Sequence, residues 1–240
     1  MAQKYTIKLI GKEVIAEGTM AFHFTKPEGF SYKAGQNADY TLINPPETDA
    51  EGNKRTFSFV SSPSDDEITW ATRMRDTAFK RVMKNASEGM ELEMEGPYGD
   101  MTLHSRSEKP AVFLAGGIGI TPFYSMAQDA AEKQLLHKIF LFYSNRTPKD
   151  AAFLQELANT ERLNPNYKLI ATMTKLDPSD NWTGETGYIT KDLVKKYVGN
   201  LEGPIYYLAG PQTMVTAMKK MLYDAGIVDD DIRVEEFTGY

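Results

Sequence analysis

The chain has 240 residues, of which 41% are hydrophobic and 25% are charged, and its formal net charge is −6. This composition is typical of a globular protein with one large or two ordinary domains. The acidic balance argues against general nucleic-acid binding, which requires a basic surface. Neither a secretory signal nor an apolar stretch of membrane-spanning length is visible, so the sequence predicts a cytoplasmic protein without a membrane span.

The chain contains no cysteine and only three histidines. The lack of cysteine excludes disulfides, thiolate nucleophiles and iron–sulfur clusters with cysteine ligands. His23, His104 and His137 are far apart in sequence, and no two of them have metal-ligand spacing. The sequence therefore gives no support for a metal site.

The first hundred residues show the alternation of apolar and polar side chains that is typical of half-buried strands. The clearest example is Met90–Glu95, and Ile68–Met74 follows the same period. Shorter sets at Ile7–Leu9 and Phe22–Phe24 predict two more strands, with glycine-, proline- and asparagine-containing turns between them. One helical segment, Phe79–Met83, interrupts the series. Several short strands of this kind predict an antiparallel β-barrel or sandwich.

After the polar segment Ser105–Pro110, buried strands alternate with helical patterns. Such alternation predicts βαβ units, and hence a Rossmann-like parallel sheet with helices on both faces. We place the domain boundary there, with a β domain over 1–104 and an α/β domain over 105–240. The predicted strands are Ala111–Leu114, Lys138–Tyr143, Tyr167–Met173, Pro204–Ala209 and Ile232–Phe237.

Helices are predicted between these strands, including one around Asp150–Ala158 and a short one within Ile189–Tyr197. The last long helix carries a stripe of three methionines, Met214, Met218 and Met221, at helical spacing. Such a stripe most often fills a hydrophobic core, and we predict that role here.

A glycine-rich turn over Gly116–Pro122 joins the first predicted strand of the α/β domain to a helix. Its glycines, Gly116, Gly117 and Gly119, allow backbone N–H groups to approach an anion closely. The helix N-terminus that follows favours phosphate, and Pro122 is tolerated in its first turn. The alternative is that the glycines serve only the tight packing of strand and helix.

Two further segments of the α/β domain are candidates for a site. The turn Ala209–Pro211 ends a buried strand and opens a helix, so it lies at the edge where ligands of open α/β sheets bind. Glu235 and Phe237, two residues apart on the final strand, project from one face of that strand.

The β domain offers a candidate site at Arg55–Ser58, near the start of a strand. Arg55 presents a planar fork for a phosphate oxygen, and Phe57, on the same face, can lie against an aromatic ring. Ser58 points to the other face, where its hydroxyl can donate to a ring nitrogen. The alternative is an exposed arginine beside a core phenylalanine.

A second candidate is the basic segment Arg73–Lys84, in which five basic residues accompany the single acid Asp76. Thr77 stands just before the helical segment and is a good N-cap. Its hydroxyl and the N–H groups that follow, beginning with Ala78, can hold a phosphate. The alternative is a solvated basic face.

Taken in order, these segments resemble the ferredoxin–NADP⁺ reductase superfamily of flavoenzymes, over essentially the whole chain. Arg55–Ser58 resembles the flavin motif R-x-[YF]-[ST] of this superfamily. Thr77–Lys80 is similar to the segment that binds the FAD pyrophosphate, and Gly96–Gly99 to the G-P-x-G turn that closes the barrel.

The resemblance continues through the second half of the chain. Gly116–Pro122 is similar to the nicotinamide-dinucleotide turn, and Ala209–Met214 resembles the C-G-P-x-x-M element. Glu235–Phe237 is similar to the terminal E-x-F beside the flavin ring. Two departures stand out: Ala209 replaces a cysteine that is frequent in the superfamily, and there is no cysteine cluster for an iron–sulfur domain.

The resemblance implies a β-barrel that holds FAD, an α/β domain that holds NADH or NADPH, and hydride transfer in the seam between them. It implies that Arg55 neutralises the pyrophosphate, that Ser58 donates to flavin N5, and that Glu235 acts with Ser58 as a catalytic residue. The cofactor-binding residues implied in this way are Arg55, Thr56, Phe57, Ser58, Arg73, Thr77, Ala78, Gly116, Gly117, Gly119, Thr121, Pro122, Gly210, Pro211, Phe237 and Tyr240.

The choice between NADPH and NADH depends on side chains that follow the second and third strands of the α/β domain. Arg146 or Lys175 can meet a 2′-phosphate by charge, and Thr174 lies where NADPH-using members often have serine. No acidic residue stands at either strand end to favour a ribose hydroxyl. We therefore predict a slight preference for NADPH.

The sequence thus predicts an FAD-dependent NAD(P)H oxidoreductase with an external electron acceptor or donor, most simply a small redox protein such as ferredoxin or flavodoxin. Two alternatives stay open. One is reduction of a small molecule such as a ferric chelate or a quinone. The other is a non-catalytic electron-transfer subunit that docks onto a larger complex.

Overall fold

The computed structural model describes residues 3–237, apart from the side chain of Glu236. Two six-stranded sheets organise this part of the chain, an antiparallel one followed by a parallel one. The elements of the first half are β1 (Gln3–Ala16), β2 (Thr19–Thr25), β3 (Asn37–Leu42), β4 (Lys54–Ser58), β5 (Glu67–Arg73), α1 (Ala78–Asn85) and β6 (Glu91–Tyr98).

The antiparallel sheet has the strand order β4-β3-β6-β1-β2-β5, and its edge strands β4 and β5 approach each other, which gives the predicted barrel. Aromatic side chains, among them Phe22, Phe24 and Trp70, fill much of its interior. Trp70 is fully buried there and stacks on Phe57 with 4.2 Å between ring centroids. On β6, Leu92 and Met94 are fully buried between more accessible glutamates, as the alternation predicts.

The sequence pattern did not reveal strand β3. Its first residues, Asn37, Ala38 and Asp39, are of types depleted in strands, and the segment becomes a strand because it pairs with β4 on one side and β6 on the other. The segment Gly96–Gly99, predicted as a turn, is largely the end of β6. A Cβ atom on Gly96 would lie 2.8 Å from the Cβ of Ala38, so glycine permits this close pairing.

The parallel sheet has the order β10-β9-β8-β7-β11-β12. Its strands are β7 (Ala111–Gly116), β8 (Ile139–Asn145), β9 (Tyr167–Met173), β10 (Glu185–Thr186), β11 (Ile205–Pro211) and β12 (Ile232–Phe237). Its helices are α2 (Thr121–Glu132), α3 (Leu154–Leu163), α4 (Lys191–Val198) and α5 (Gln212–Asp224). Helices α2 and α3 cover one face of the sheet, and α4 and α5 cover the other, as predicted.

Helix α3 begins later than the predicted start at Asp150. The Asp150 carboxylate accepts hydrogen bonds from the backbone and the hydroxyl of Thr147, which closes a separate 3₁₀ turn over Pro148–Asp150. Phe153 then takes a left-handed conformation, with φ +59°, before the helix starts. No helix within residues 3–237 is long and apolar enough to cross a membrane.

The direction of the chain through the parallel sheet reverses at β7. The chain runs outward from β7 through β8 and β9, then returns to place β11 on the other side of β7. At this point the turns after β7 and β11 touch through their backbones: a Cβ on Gly119 would lie 2.4 Å from the Ala209 carbonyl oxygen. Ligands of open α/β sheets bind outside such a switch point.

Replacing Gly119 with alanine is therefore expected to destabilise the fold. The added methyl group has to displace backbone rather than a flexible side chain, so we expect a loss of about 1–3 kcal/mol and a fall in melting temperature of roughly 3–10 °C. Gly11→Ala on β1 is the control, because its Cβ would meet His23 at an ordinary 3.7 Å. Thermal unfolding followed by circular dichroism compares the two; equal melting temperatures would contradict the packing role of Gly119.

Candidate active site

A cavity of about 1700 Å³ lies between the barrel and the carboxyl ends of the parallel strands. This volume exceeds the roughly 300–1,000 Å³ that is usual for a site holding one small molecule. Both sheets contribute to its walls. The predicted site residues that line it are Arg55, Thr56, Phe57, Ser58, Arg73, Gly116, Gly117, Arg146, Thr174, Pro211 and Phe237.

On the barrel side, strand β4 presents an aromatic ring and a hydroxyl to the cavity. Phe57 is supported by its stacking on Trp70, so its ring position is fixed from within the barrel. The Ser58 side chain is buried, and its hydroxyl has no hydrogen-bond partner among the described residues. A buried unpaired hydroxyl costs about 1–3 kcal/mol, and a ligand that accepts its hydrogen bond removes that cost.

A carboxyl group from the far end of the chain lies beside Ser58. Glu235 on β12 accepts a hydrogen bond at Oε1 from the Asn37 amide, 3.2 Å away, while its buried Oε2 has no partner in the described part of the chain. Burial raises the pKa of Glu235 to about 7, against the opposing effects of the Asn37 amide and the nearby Ser58 hydroxyl. Near neutral pH this carboxyl can therefore hold or release a proton.

Asn37 was not anticipated as a site residue. It belongs to no motif, and it reaches the site because β3 pairs with β4 in a register that sets Asn37 opposite Ser58. Only the strand pairing, which the sequence pattern did not reveal, could have identified it.

The glycines of the turn differ in their surroundings: two are confined by neighbouring atoms, and one faces open space. Gly117 has φ +53°, and no atom lies within 4 Å of where its Cβ would be, so its backbone is accessible from the cavity. A Cβ on Gly116 would lie 2.2 Å from Met214 Sδ, and Gly119 is confined by Ala209. Thr121 is buried and donates its hydroxyl to the Ile118 carbonyl. Packing thus explains part of the turn, and Gly117 is the position free to approach a ligand.

The ends of β8 and β9 add polar groups to the same cavity. Asn145 is buried and lines the cavity, and neither atom of its side-chain amide has a partner within residues 3–237. Arg146 and Thr174 line the cavity beside it. The backbone of Lys175 donates to the Arg146 carbonyl at 2.8 Å, although Lys175 itself is not among the lining residues.

The predicted phosphate-binding groups of the barrel are present, and several contact acidic side chains. Arg73 pairs with Asp150 of the other half of the chain at 3.1 Å. The Ala78 N–H, at the start of α1, donates to Asp49. Thr77 is buried, and its hydroxyl is unpaired in the described structure.

One buried cation and several apolar residues of the cavity were missed or misassigned. Lys80 is buried and lines the cavity; burial, followed by the charges of Arg75 and Arg55, lowers its pKa to about 8. The methionine stripe does pack against the core, but Met214, Met218 and Met221 also form an apolar wall of the cavity, a role that the prediction omitted.

Several predicted residues stand behind the cavity surface rather than on it. Those that do not line the cavity are Thr77, Ala78, Gly119, Thr121, Pro122, Lys175, Gly210 and Glu235. Tyr240 lies outside the described residues. Their assignments to cofactor binding or catalysis stay predictions.

Comparison with known sequences agrees with this geometry. A family model described as "Oxidoreductase NAD-binding domain" matches residues 113–220. A subunit of the Na(+)-translocating NADH-quinone reductase of Methylococcus capsulatus is 31% identical over 163 residues, which are 65% of this chain and 39% of that protein. The corresponding Haemophilus influenzae (strain PittEE) protein is 31% identical over 157 residues, 63% of this chain and 38% of that protein. The alignments thus span about two fifths of these relatives.

Solved structures share the fold over nearly the whole chain. Cytochrome P450 reductase GcoB of Amycolatopsis has a TM-score of 0.84 at 22% identity, covering 99% of this chain and 71% of that one. A ferredoxin NADP+ reductase from Neisseria gonorrhoeae with bound FAD and NADP has a TM-score of 0.82 at 19% identity, covering 97% and 98%. The predicted fold, a β-barrel followed by a Rossmann-like parallel sheet, is therefore confirmed.

The raised pKa of Glu235 predicts how the stability of the folded protein depends on pH. Its folded-state pKa of about 7 lies above the ordinary value of 4.5, so its contribution to stability is full below pH 4.5 and is lost as the pH rises through 7. Glu235→Gln, which cannot ionise, is expected to gain about 3 kcal/mol relative to the wild type between pH 4 and pH 8.

Urea unfolding of both proteins at pH 4, 6 and 8 measures this difference. Glu28→Gln is the control, because Glu28 is exposed. A difference between wild type and Glu235→Gln that does not change with pH would show that the carboxyl titrates normally.

Proposed function

We propose that the chain is an FAD-dependent oxidoreductase that moves a hydride between NAD(P)H and flavin and exchanges electrons with an external partner. In this proposal residues 1–104 hold the flavin and residues 105–240 hold the nicotinamide dinucleotide. The observation that carries it is the large shared cavity onto which the unpaired Ser58 hydroxyl and the open Gly117 backbone both face.

The residues on the barrel side fit a flavin. FAD, when bound, supplies the redox chemistry, and the chain supplies position and charge. Phe57 offers an apolar ring, and Arg55 and Lys80 offer positive charge for phosphates. Ser58 would offer its unpaired O–H to a nitrogen of the flavin ring, where a preplaced donor would stabilise negative charge that develops on reduction.

The residues on the opposite wall fit a dinucleotide. Gly117 would present its backbone N–H to a pyrophosphate at the switch point of the sheet. The unpaired amide of Asn145, with Arg146 and Thr174, supplies donors and acceptors for the adenosine end. The description of the matched family model, an oxidoreductase NAD-binding domain, supports this assignment.

Glu235 gives the site a carboxyl group that can hold or release one proton. Its Oε2 is buried and unpaired among the described residues, and its pKa of about 7 lets it carry a proton at physiological pH. The Asn37 amide donates to the other carboxylate oxygen, Oε1, and so holds the carboxyl group in place. We assign to the Glu235 carboxyl group, positioned by Asn37, the holding and release of the proton that accompanies flavin reduction.

Two candidates remain for how the chain exchanges electrons with an external partner. The lack of cysteine means that this chain has no cysteine-ligated cluster of its own, which supports a separate redox protein such as ferredoxin or flavodoxin. The curated relatives are named as subunits of an NADH-quinone reductase, which supports a second candidate, an electron-transfer subunit of a larger complex with quinone as an acceptor. With the first candidate, a separate redox protein, we also propose that the chain is cytoplasmic.

The basic segment Arg73–Lys84 would attract an acidic partner less strongly than its composition indicates. Arg81 pairs with Glu47 and Asp76, and Arg73 pairs with Asp150, so much of its charge is already compensated. Rapid-mixing measurements of flavin reoxidation by ferredoxin, flavodoxin, a quinone and a ferric chelate separate the candidates. Fastest reoxidation by the quinone would favour the second candidate.

The purified chain is expected to bind FAD, to be yellow, and to have its flavin reduced by NADH or NADPH. Ser58→Ala removes the preplaced donor, and we expect flavin reduction to slow by about 10²-fold while FAD remains bound. Stopped-flow absorbance of the flavin measures the rate, with the exposed Ser87→Ala as the control. A colourless protein that FAD cannot reconstitute would falsify the proposed function.

The coenzyme preference rests on charge at the ends of β8 and β9. For Lys175→Ala we expect the flavin reduction rate at limiting coenzyme to fall about 10-fold with NADPH and little with NADH, because only NADPH carries a 2′-phosphate. Lys138→Ala removes an equivalent charge at the amino end of β8 and is the matched control. Equal losses with both coenzymes would remove Lys175 from the 2′-phosphate site.

A further inference from the structure

The loop between β3 and β4 places three acidic side chains against the phosphate-binding side of the proposed flavin site. We define the acidic loop as residues 47–51, which include Glu47, Asp49 and Glu51. These residues belong to no motif and have no part in the proposed mechanism. Their contacts are with the groups to which that mechanism assigns the flavin phosphates.

Asp49 occupies the N-terminus of α1. Its Oδ2 accepts the Ala78 backbone N–H at 2.6 Å, and this hydrogen bond is the main cause that lowers the pKa of Asp49. A backbone N–H has one hydrogen to donate. A phosphate at this helix end therefore competes with the Asp49 carboxylate for the same donor.

Glu51 occupies the arginine fork in the same way. Its Oε2 lies 2.9 Å from Arg55 Nη2 and 3.6 Å from Arg75 Nη2. Arg55 also donates through Nη1 to the Glu51 backbone carbonyl at 2.7 Å. The Arg55 side chain is only 16% exposed and that of Glu51 is 47% exposed, so the arginine is recessed while the carboxylate remains accessible to solvent.

Two buried hydrogen-bond donors in this subsite are not paired with these carboxylates. The Thr77 hydroxyl and Arg75 Nε are both buried, and neither has a partner within the described ranges. Carboxylate oxygens on a helix N-terminus and an arginine pair reproduce the contacts that a phosphate makes. The unpaired donors beside them indicate that the site suits a ligand with more acceptor oxygens than two carboxylates supply.

We infer that Asp49 and Glu51 act as internal substitutes for the flavin phosphates, closing the subsite when it is empty and opposing flavin binding until they are displaced. This inference rests on the proposed function, because it takes the barrel site to hold a flavin. Glu47, which binds Arg81 through both carboxylate oxygens, with Nε 3.1 Å from each, anchors the other end of the loop during the exchange.

The test compares flavins that differ only in their phosphates. Quenching of flavin fluorescence gives the Kd of the flavin-free chain for FAD, FMN and riboflavin. Asp49→Asn and Glu51→Gln keep the shape of the side chains and remove their charge. We expect each to lower the Kd for FAD and FMN about 3-fold and the double variant about 10-fold, with riboflavin unchanged because it has no phosphate.

Two further measurements sharpen the result. The difference between wild type and double variant is expected to shrink at high salt, since the competing pairs are partly exposed. Inorganic pyrophosphate is expected to raise the melting temperature of the double variant more than that of the wild type. Glu28→Gln, which removes an exposed charge elsewhere, is the matched control and is expected to behave like the wild type.

The outcomes distinguish this inference from the proposed function. Flavin binding with equal or weaker affinity in the double variant overturns the inference alone, since the carboxylates then either do not compete or assist binding. An equal gain for riboflavin also overturns it, because the gain then does not come from the phosphates. Failure of the wild type and every variant to bind any flavin overturns the proposed function and the inference with it.

Discussion

The contact between two backbone turns holds the candidate site together. Gly119 lies against the Ala209 carbonyl, and Gly210 lies against Gly116, so the ends of β7 and β11 approach more closely than residues with a Cβ permit. This contact fixes where the helices α2 and α5 begin and leaves the backbone of Gly117 facing the cavity. The nucleotide-binding surface is therefore a consequence of backbone packing at the switch point of the sheet.

The barrel is joined to the parallel sheet by polar contacts that converge on the cavity. Asn37 holds Glu235, and Arg73 pairs with Asp150. Away from the cavity, the buried Ser125 hydroxyl donates to the Ser61 carbonyl at 2.7 Å. Hydrogen bonds depend strongly on direction and distance, so these contacts help to define the relative position of the two walls. Transfer between two bound rings requires such a defined separation.

Much of the fold was predictable because its strands show either a continuous apolar run, as β7 does, or the alternation of a half-buried strand, as β6 does. The bounds of β9 and β12 agree with those expected from the pattern, and the alternation on β6 was correct. Strand β3 was missed because its pairing partners, not its composition, make it a strand. The start of α3 was wrong because the Asp150 carboxylate closes a separate turn before it.

The candidate site was predictable where a motif carries the chemistry, as in Arg55–Ser58 and Gly116–Pro122. It was not predictable where tertiary contact creates the chemistry. Asn37 and Asn145 carry no local signal; their positions arise from strand register and burial. Lys80 lies in a segment that the sequence did single out, but its burial comes from tertiary packing. The sequence also gave no reason to single out the acidic loop, because its relevance depends on the arginines that it contacts in the folded chain.

The stacking of Trp70 on Phe57 has a spectroscopic consequence. The chain has two tryptophans, and this one lies fully buried behind the ring that lines the flavin side of the cavity. Indole emission overlaps the absorption of oxidised isoalloxazines, so a flavin in the proposed barrel site would accept excitation energy from this residue. Quenching of tryptophan fluorescence would then report flavin binding without an added label.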